Sequence, residues 1–184
     1  VNPEDIKTIE DFRKLPFIEK KTLRKGFPLK LMARDEEEVV RIHSSSGTTG
    51  TPVIIPYTQK DLNDWTEMFK RCYETAGIGC KDRVQIAVGY GLWTAGASFQ
   101  AGAEAAGAMA VPMGPGNSDK QIRMMMDLQS TVLCATSSYA LVLAEKIEEM
   151  GLKNEISLNK CLIGSEIWGQ KMRDRIEETL GAKL

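Results

Sequence analysis

The sequence predicts an α/β fold in which a mostly parallel sheet is flanked by helices. Short apolar, β-branched segments alternate with helical segments of about 10 to 15 residues from residue 39 onward, an order typical of βαβ units. Hydrophobic residues make up 42% and charged residues 27% of the 184 residues, as in ordinary globular proteins. A chain of this length buries about 70% of its unfolded surface, so it needs no disulfide bridges.

Residues 1–38 are predicted to form an irregular, partly helical N-terminal arm, and residues 39–184 the α/β portion. Three prolines interrupt the arm. Its apolar side chains, such as Phe12 and Phe17, are expected to dock it on a larger body.

Two strands are predicted at residues 39–42 and 53–57, on either side of a loop rich in Ser, Gly and Thr. A helix follows, with Thr58 as the expected N-cap and Asp61 in a variant of the capping box. Apolar residues recur along it at helical spacing until Gly77.

The rest of the chain repeats strand and helix four times. Ser118 and Gln121 are the expected cap of the second helix in this series. Residues 181–184 are expected to end the last helix and to enter another strand. The predicted strands are residues 84–88, 109–112, 131–135 and 160–163, and the predicted helices are residues 94–106, a segment from 118, 138–150 and 170–180.

The most specific motif is the sequence SSSGTTGTP at residues 44–52. Glycines permit positive φ angles and let backbone amides approach a ligand closely. Hydroxyls add neutral donors, and successive amides can form a nest for phosphate oxygens. The loop is not a Walker A sequence, because no Gly-Lys-Ser/Thr follows at the required spacing. A phosphate site is therefore indicated, with an ordinary polar hairpin loop as the alternative.

A second motif, GYGLWTAG at residues 89–96, lies between a predicted strand and a helix of small residues. A ligand could lie there against Tyr90 and Trp93; the alternative is that Trp93 belongs to the core. A dinucleotide-binding oxidoreductase would need a third glycine where Thr94 stands and an acid after the next strand. That strand continues to Gly114 without an acid, which disfavours this reading.

The third motif, CLIGSEIW at residues 161–168, places a turn and a carboxylate at the end of a predicted strand. Ligands of open α/β sheets bind at the carboxyl ends of strands, so Gly164, Ser165 and Glu166 are candidate pocket residues. The alternative is that Glu166 caps the start of the last helix.

Charge and cysteine use narrow the class of protein. Lys and Arg number 24 against 25 Asp and Glu, so strong sequence-independent binding of nucleic acid is not expected. The four cysteines are scattered without a C-x-x-C pair, and His43 is the single histidine, so the sequence offers few ligands for a zinc site. Three of the cysteines are expected to be buried thiols, in a cytoplasmic protein without a signal peptide or membrane span. His43 is expected to be a structural residue, not a base.

Residues 45–52 resemble the phosphate loop of the adenylate-forming superfamily, which includes acyl–coenzyme A synthetases, luciferases and amino-acid adenylation domains. The flanking residues 41–43 and 57–58 are most similar to the phenylacetate–coenzyme A ligase branch. The superfamily commonly has a cation after the proline, where this chain has Val53, and the branch often lacks that cation too. Residues 164–168 are similar to a Gly-Ala-Glu-Pro-Trp turn, with departures at two positions.

The resemblance implies that the chain is part of the large N-terminal domain of an acid–coenzyme A ligase. Such a ligase uses ATP with Mg²⁺ to form an acyl-adenylate and then transfers the acyl group to coenzyme A. Its partners would be a small carboxylic acid, ATP and coenzyme A, with neither nucleic acid nor a membrane, and a homodimer is possible. The implied ATP phosphate ligands are Ser45, Ser46, Gly47, Thr48, Thr49 and Gly50, the acid pocket is Tyr90 and Trp93, and the adenine and acyl pocket is Gly164, Ser165 and Glu166.

No catalytic residue or metal ligand is expected within these 184 residues. In the family, the motif that helps to hold magnesium, the ribose-binding aspartate and the mobile domain with its catalytic lysine would all follow Leu184. The alternative to a ligase is a non-catalytic nucleotide-binding fragment or scaffold domain.

Overall fold

The structure, a computed structural model, describes residues 2–45 and 50–184. Its N-terminal segment carries two short helices, α1 (Ile9–Phe12) and α2 (Lys20–Lys25), together with two single 3-10 turns, Pro3–Asp5 and Glu36–Glu38. Phe17 is fully exposed, which shows that at least part of the apolar surface of this segment has no cover from the rest of the described chain.

An antiparallel hairpin follows, made of β1 (Val39–Ser44) and β2 (Ile54–Thr58), and confirms the two strands predicted around the Ser/Gly/Thr loop. Helix α3 (Gln59–Thr75) starts directly after β2. The predicted capping box is present, because the Asp61 amide donates to Thr58 Oγ1 at 3.3 Å and the Thr58 amide donates to the Asp61 carboxylate at 2.8 Å.

Four parallel strands form the main sheet, which confirms the predicted fold class: β3 (Arg83–Ile86), β4 (Met109–Val111), β5 (Val132–Thr136) and β6 (Lys160–Gly164). Their order across the sheet is β4-β3-β5-β6. Beside β6, the Cys161 amide donates to Lys183 O at 2.8 Å, and Lys183 forms a single parallel bridge with Lys160. The residues after the last helix thus reach the edge of the sheet, where the sequence predicts the start of another strand. The helices that connect and follow these strands are α4 (Ala95–Ala105), α5 (Ser118–Asp127), α6 (Ser137–Glu149) and α7 (Gln170–Leu180), with a further 3-10 turn at Lys153–Glu155.

The sheet separates two apolar cores, as expected when successive side chains of a strand point to opposite faces. On β5, Val132 and Cys134 pack with α3 and α4, whereas Leu133 and Ala135 pack with α5, α6 and α7. Helices therefore cover both faces, and the continuous apolar sequence of β5 follows from its burial on each side.

Hydrogen bonds between buried amides fix the loop after β4. Gln85 Nε2 donates to Gln121 Oε1 at 2.7 Å, and Gln121 Nε2 donates to Gly114 O at 2.6 Å. Both glutamine side chains are fully buried. Because Gln121 is turned inward in this way, it does not cap α5 as predicted. The N-cap is Asn117 in the left-handed region (φ 50°), whose side chain accepts from the Lys120 amide at 3.2 Å.

Two of the cysteines are buried and two are exposed, so the expectation of three buried thiols was wrong. Cys134 and Cys161 lie on opposite faces of the sheet, within the two cores. Cys72 and Cys80 are exposed, and Cys72 borders an open cavity instead of a packed core. Across residues 2–45 and 50–184, no helix is both long and apolar enough to span a bilayer.

Candidate functional site

The carboxyl ends of the parallel strands bring two of the predicted site segments to the same edge of the sheet. Gly89 follows β3, and Gly164 is the last residue of β6. Between them lies β5, which ends at Thr136 and leads directly into α6. This edge is where ligands of open α/β sheets bind.

The base of the Ser/Gly/Thr loop is closed by Ser45. Its amide donates to Val53 O at 3.0 Å, and its Oγ accepts from the Val53 amide at 2.9 Å. Gly50, near the other end of the loop, has a φ of +123°, a conformation that side chains rarely adopt. The other predicted phosphate ligands lie outside the described residues, namely Ser46, Gly47, Thr48 and Thr49.

One backbone carbonyl connects the hairpin to the aromatic turn. Leu92 O accepts from the Ser44 amide at 2.8 Å and lies 3.2 Å from His43 Nδ1. His43 is buried, with its ring centroid 5.4 Å from that of Tyr57 and 5.9 Å from that of Trp65. These contacts hold the His43 ring in the protein interior. They also place the stem of the loop beside the turn that carries Trp93.

The aromatic turn is held against the start of α4. The Gly96 amide donates to Gly89 O at 2.9 Å, and a Cβ atom added at Gly96 would lie 2.6 Å from the Tyr90 ring. Tyr90 Oη donates to Gln100 Oε1 at 3.2 Å, and burial raises the pKa of Tyr90 to about 12, so its hydroxyl stays protonated at neutral pH. The Trp93 side chain remains 39% exposed, which argues against a pure core role.

This geometry also disfavours a dinucleotide site. A pyrophosphate bound at a helix N-terminus needs free amides in the first turn. The Gly96 amide is one of these, and it is already bonded to Gly89 O. Thr94, where the fingerprint requires glycine, is the N-cap of α4.

The Glu166 carboxylate binds the N-terminus of α6. It accepts from the Ser138 amide at 2.7 Å and from the hydroxyls of Ser137 and Ser138, both at 2.8 Å. These donors hold the pKa of Glu166 below its usual value. The alternative that Glu166 caps the last helix was wrong, because α7 begins at Gln170 with Gly169 as its N-cap.

The turn after Gly164 brings Glu166 to the N-terminus of α6. Ser165 adopts a φ of +73°, which is uncommon for a residue with a side chain. The turn conformation and the Glu166 contacts together aim the carboxylate across the sheet edge at α6. The carboxylate is thus engaged by protein donors, and the turn offers a ligand its backbone and its position.

An apolar cavity of about 390 Å³ runs along β6 on the face covered by α3 and α4. It begins at Gly164, and its volume falls within the usual range of small-molecule sites. The helical spacing of Phe69 predicts only that it packs within α3, and the sequence predicts no role for Phe99. Only the helical spacing of Phe69 could have placed it on this side of the sheet. The main apolar lining residues are Phe69, Tyr73, Phe99, Leu162 and Trp168.

A second cavity lies apart from these segments. A larger groove of about 640 Å³ lies between residues 32–39 and the start of α3, and none of the predicted site residues lines it. Within residues 2–45 and 50–184, no group of three or more His, Cys, Asp or Glu side chains could hold a metal ion.

No protein-family model matches the chain. A phenylacetate-coenzyme A ligase from Pseudomonas putida is 39% identical over 181 residues, covering 98% of this chain and 41% of that protein. The Escherichia coli (strain K12) enzyme of the same name is 40% identical over 183 residues, covering 98% of this chain and 42% of that protein. The chain therefore spans about two fifths of the length of these curated relatives.

A solved structure of another coenzyme A ligase is also similar to this chain. A 2-hydroxyisobutyryl-CoA ligase in complex with 2-HIB-AMP and CoA, in the thioesterification state, has a TM-score of 0.87 and 28% sequence identity. The match covers 100% of this chain and 41% of that one. The predicted resemblance to phenylacetate–coenzyme A ligases is confirmed, and it extends over nearly the whole chain.

Proposed function

We propose that this chain supplies the nucleotide-binding and acid-binding part of an AMP-forming acid–coenzyme A ligase that activates an aryl-acetic acid. One observation carries the proposal. The hairpin that presents the Ser/Gly/Thr loop is bonded at Leu92 O to the aromatic turn at the carboxyl edge of the sheet. The proposed phosphate loop and the proposed aromatic wall would thereby be neighbours, as the joining of an acid to ATP requires. The names of the relatives support the same reaction.

The loop would act on the first step of the reaction. A carboxylate oxygen attacks the α-phosphorus of ATP, the bond to the leaving pyrophosphate breaks, and an acyl-adenylate remains. Amides and hydroxyls that already point at phosphate oxygens stabilise the charge that develops there, without reorganisation during the step. The residues proposed to hold the β- and γ-phosphates are Ser45, Ser46, Gly47, Thr48, Thr49 and Gly50.

The acid would lie against Tyr90 and Trp93. Trp93 has an exposed ring to offer, and the protonated Tyr90 hydroxyl adds no negative charge that would repel a carboxylate. Gly164, Ser165 and Glu166 would border the adenine and the acyl group. In their part of the site, the backbone of the turn would contact the ligand, because the Glu166 carboxylate is occupied by α6.

In the second step, the thiol of coenzyme A would attack the acyl carbonyl and release AMP. No residue of this chain is proposed to be catalytic in either step. The described residues do not fit a protein-built Mg²⁺ site, since they contain no suitable cluster of ligands. Mg²⁺ would bind the phosphates of ATP, and in the family the motif that helps to hold it would follow Leu184.

Pyrophosphate–ATP exchange on the full-length protein, with a panel of acids, tests this proposal. We expect exchange with phenylacetate and related aryl-acetic acids, and much slower exchange with acetate. Nucleotide binding without any acid-dependent exchange would favour a non-catalytic scaffold. Oxidation or reduction of a nicotinamide cofactor would favour the oxidoreductase instead.

A further inference from the structure

We infer that His43 is a positioning residue that couples the nucleotide loop to the acid-binding turn. The inference rests on the proposed function, which assigns ATP to one segment and the acid to the other. It identifies the physical connection between them as the shared acceptor Leu92 O, to which both His43 and Ser44 donate.

On the side of the proposed nucleotide loop, consecutive residues link the donors of Leu92 O to the base of the loop. His43 and Ser44 are the last two residues of β1, and the next residue, Ser45, closes the base of the loop through its two bonds to Val53. A phosphate bound at this loop would therefore lie one to two residues along the chain from the donors that hold Leu92 O.

On the acid side, Leu92 directly precedes Trp93. The Leu92 side chain is 53% exposed and Trp93 is 39% exposed, so the turn relies on backbone bonds more than on packing of these two residues. Leu92 O is the acceptor that fastens the turn to the hairpin. Freeing it would let Trp93 change its position relative to the loop.

The His43 ring is itself held in one orientation. It is 2% exposed, and the Tyr57 ring meets it edge-on with 5.4 Å between centroids. To donate to a carbonyl, Nδ1 must carry the proton, which fixes the tautomer. His43 and its acceptor Leu92 are 49 residues apart in the sequence. Because the ring is buried and held in one orientation, a shift of β1 would be passed on to Leu92 O.

Coupling between two binding events is reciprocal. If the nucleotide orders the Trp93 turn through Leu92 O, then phenylacetate should bind more tightly when a nucleotide is present, and the reverse should also hold. A purely structural His43 would affect stability without affecting this ratio.

The test compares two variants of the full-length protein. His43→Asn keeps an N–H donor close to the position of Nδ1, and His43→Phe keeps an aromatic ring without the donor. The measured quantity is the ratio of phenylacetate dissociation constants without and with α,β-methylene-ATP, which cannot be cleaved at the reacting bond. We expect His43→Phe to lower this ratio about fivefold, the effect of one neutral hydrogen bond, and His43→Asn to retain it.

A folded His43→Phe protein with the wild-type ratio would overturn the inference. If that variant does not fold, hydrogen exchange on the wild-type protein decides. Amides of residues 89–95 should exchange more slowly when α,β-methylene-ATP is bound. If their exchange is unchanged although the nucleotide is bound, the inference is overturned and the proposed function is not. A wild-type protein that binds no nucleotide would instead overturn the proposed function.

Discussion

At the scale of single residues, the polar side chains of the candidate site bond mainly to backbone groups and neighbouring hydroxyls. Ser45 Oγ accepts from the Val53 amide, Glu166 accepts from the Ser138 amide, and His43 meets the Leu92 carbonyl. Each bond fixes the path of a loop before a ligand arrives. Such preorganisation lowers the entropy cost of binding.

The hydroxyls of the Ser/Gly/Thr loop should dominate adenylation. If the proposed function holds, the double variant Ser46→Ala, Thr48→Ala of the full-length protein should lose two contacts to charged phosphate oxygens, each contributing about 1.5–3 kcal/mol. Pyrophosphate exchange would then slow by about two to four orders of magnitude. The matched control is Thr75→Ala, Ser157→Ala, which removes two hydroxyls that bond elsewhere on the surface. Equal rates in the two double variants would contradict the phosphate role.

Trp93 should set the preference for aromatic acids. Removing one aromatic wall affects the acid and not the nucleotide, so Trp93→Ala should raise the KM for phenylacetate at least tenfold while the KM for ATP changes little. Met68→Ala, which shortens an exposed apolar side chain on α3, is the control. An equal loss for phenylacetate and a short aliphatic acid would assign Trp93 to the core instead.

At the scale of elements, the turn after β6 is fastened to the N-terminus of α6 by the Glu166 carboxylate. Three donors favour the charged form and lower its pKa in the folded state. A group with a lowered pKa stabilises the fold above its unfolded pKa, and this contribution is lost as the pH falls through the folded pKa. The bond between β6 and α6 is therefore weakened by acid.

The variant Glu166→Gln tests whether the charged carboxylate stabilises the fold and whether acid removes that contribution. The variant should be less stable than the wild type at pH 7, and the difference should shrink as the pH is lowered below about 4. Urea unfolding across this pH range measures it. Glu149→Gln, at the exposed end of α6, controls for the loss of one surface charge. A difference between wild type and Glu166→Gln that is constant with pH would show that the charge is not what fastens the turn.

Elements with strong local signals could be predicted from the sequence, and long-range polar contacts could not. Helix α3 follows from the Thr58 capping box and its apolar spacing, and α7 has the predicted bounds. The cap of α5 was assigned wrongly because the inward direction of Gln121 depends on Gln85, 36 residues away. Likewise, the alternative in which Glu166 caps the next helix in sequence was wrong, because its donors lie 28 and 29 residues earlier. Glycine and hydroxyl motifs indicated the candidate site segments, but no local pattern in the sequence predicted the hydrogen bonds at Leu92 O.

At the scale of the whole molecule, the described chain is a parallel sheet with a core on each face and the candidate site at one edge. Its relatives are more than twice as long, since it covers 41% and 42% of them. In adenylation, stabilising the transition state requires the acid and ATP to be enclosed away from water. The exposed Trp93 and the open cavity along β6 show no such enclosure among the described residues.

We therefore expect the 184-residue polypeptide alone to have no ligase activity and at most weak affinity for ATP. A coupled assay for AMP release, with ATP, Mg²⁺, phenylacetate and coenzyme A, measures the first property, and calorimetry the second. A full-length phenylacetate–coenzyme A ligase is the positive control. Turnover near that of the control would show that these residues contain the complete catalytic set.

The division of the cysteines between surface and core makes the protein suitable for thiol labelling without mutation. Burial raises the pKa of both Cys134 and Cys161 to about 12, so almost none of either is thiolate at neutral pH, whereas Cys72 and Cys80 are exposed. A maleimide dye should therefore attach to the exposed pair in the native state. Because Cys134 and Cys161 lie on opposite faces of the sheet, the order in which they become reactive during denaturation reports which of the two cores opens first.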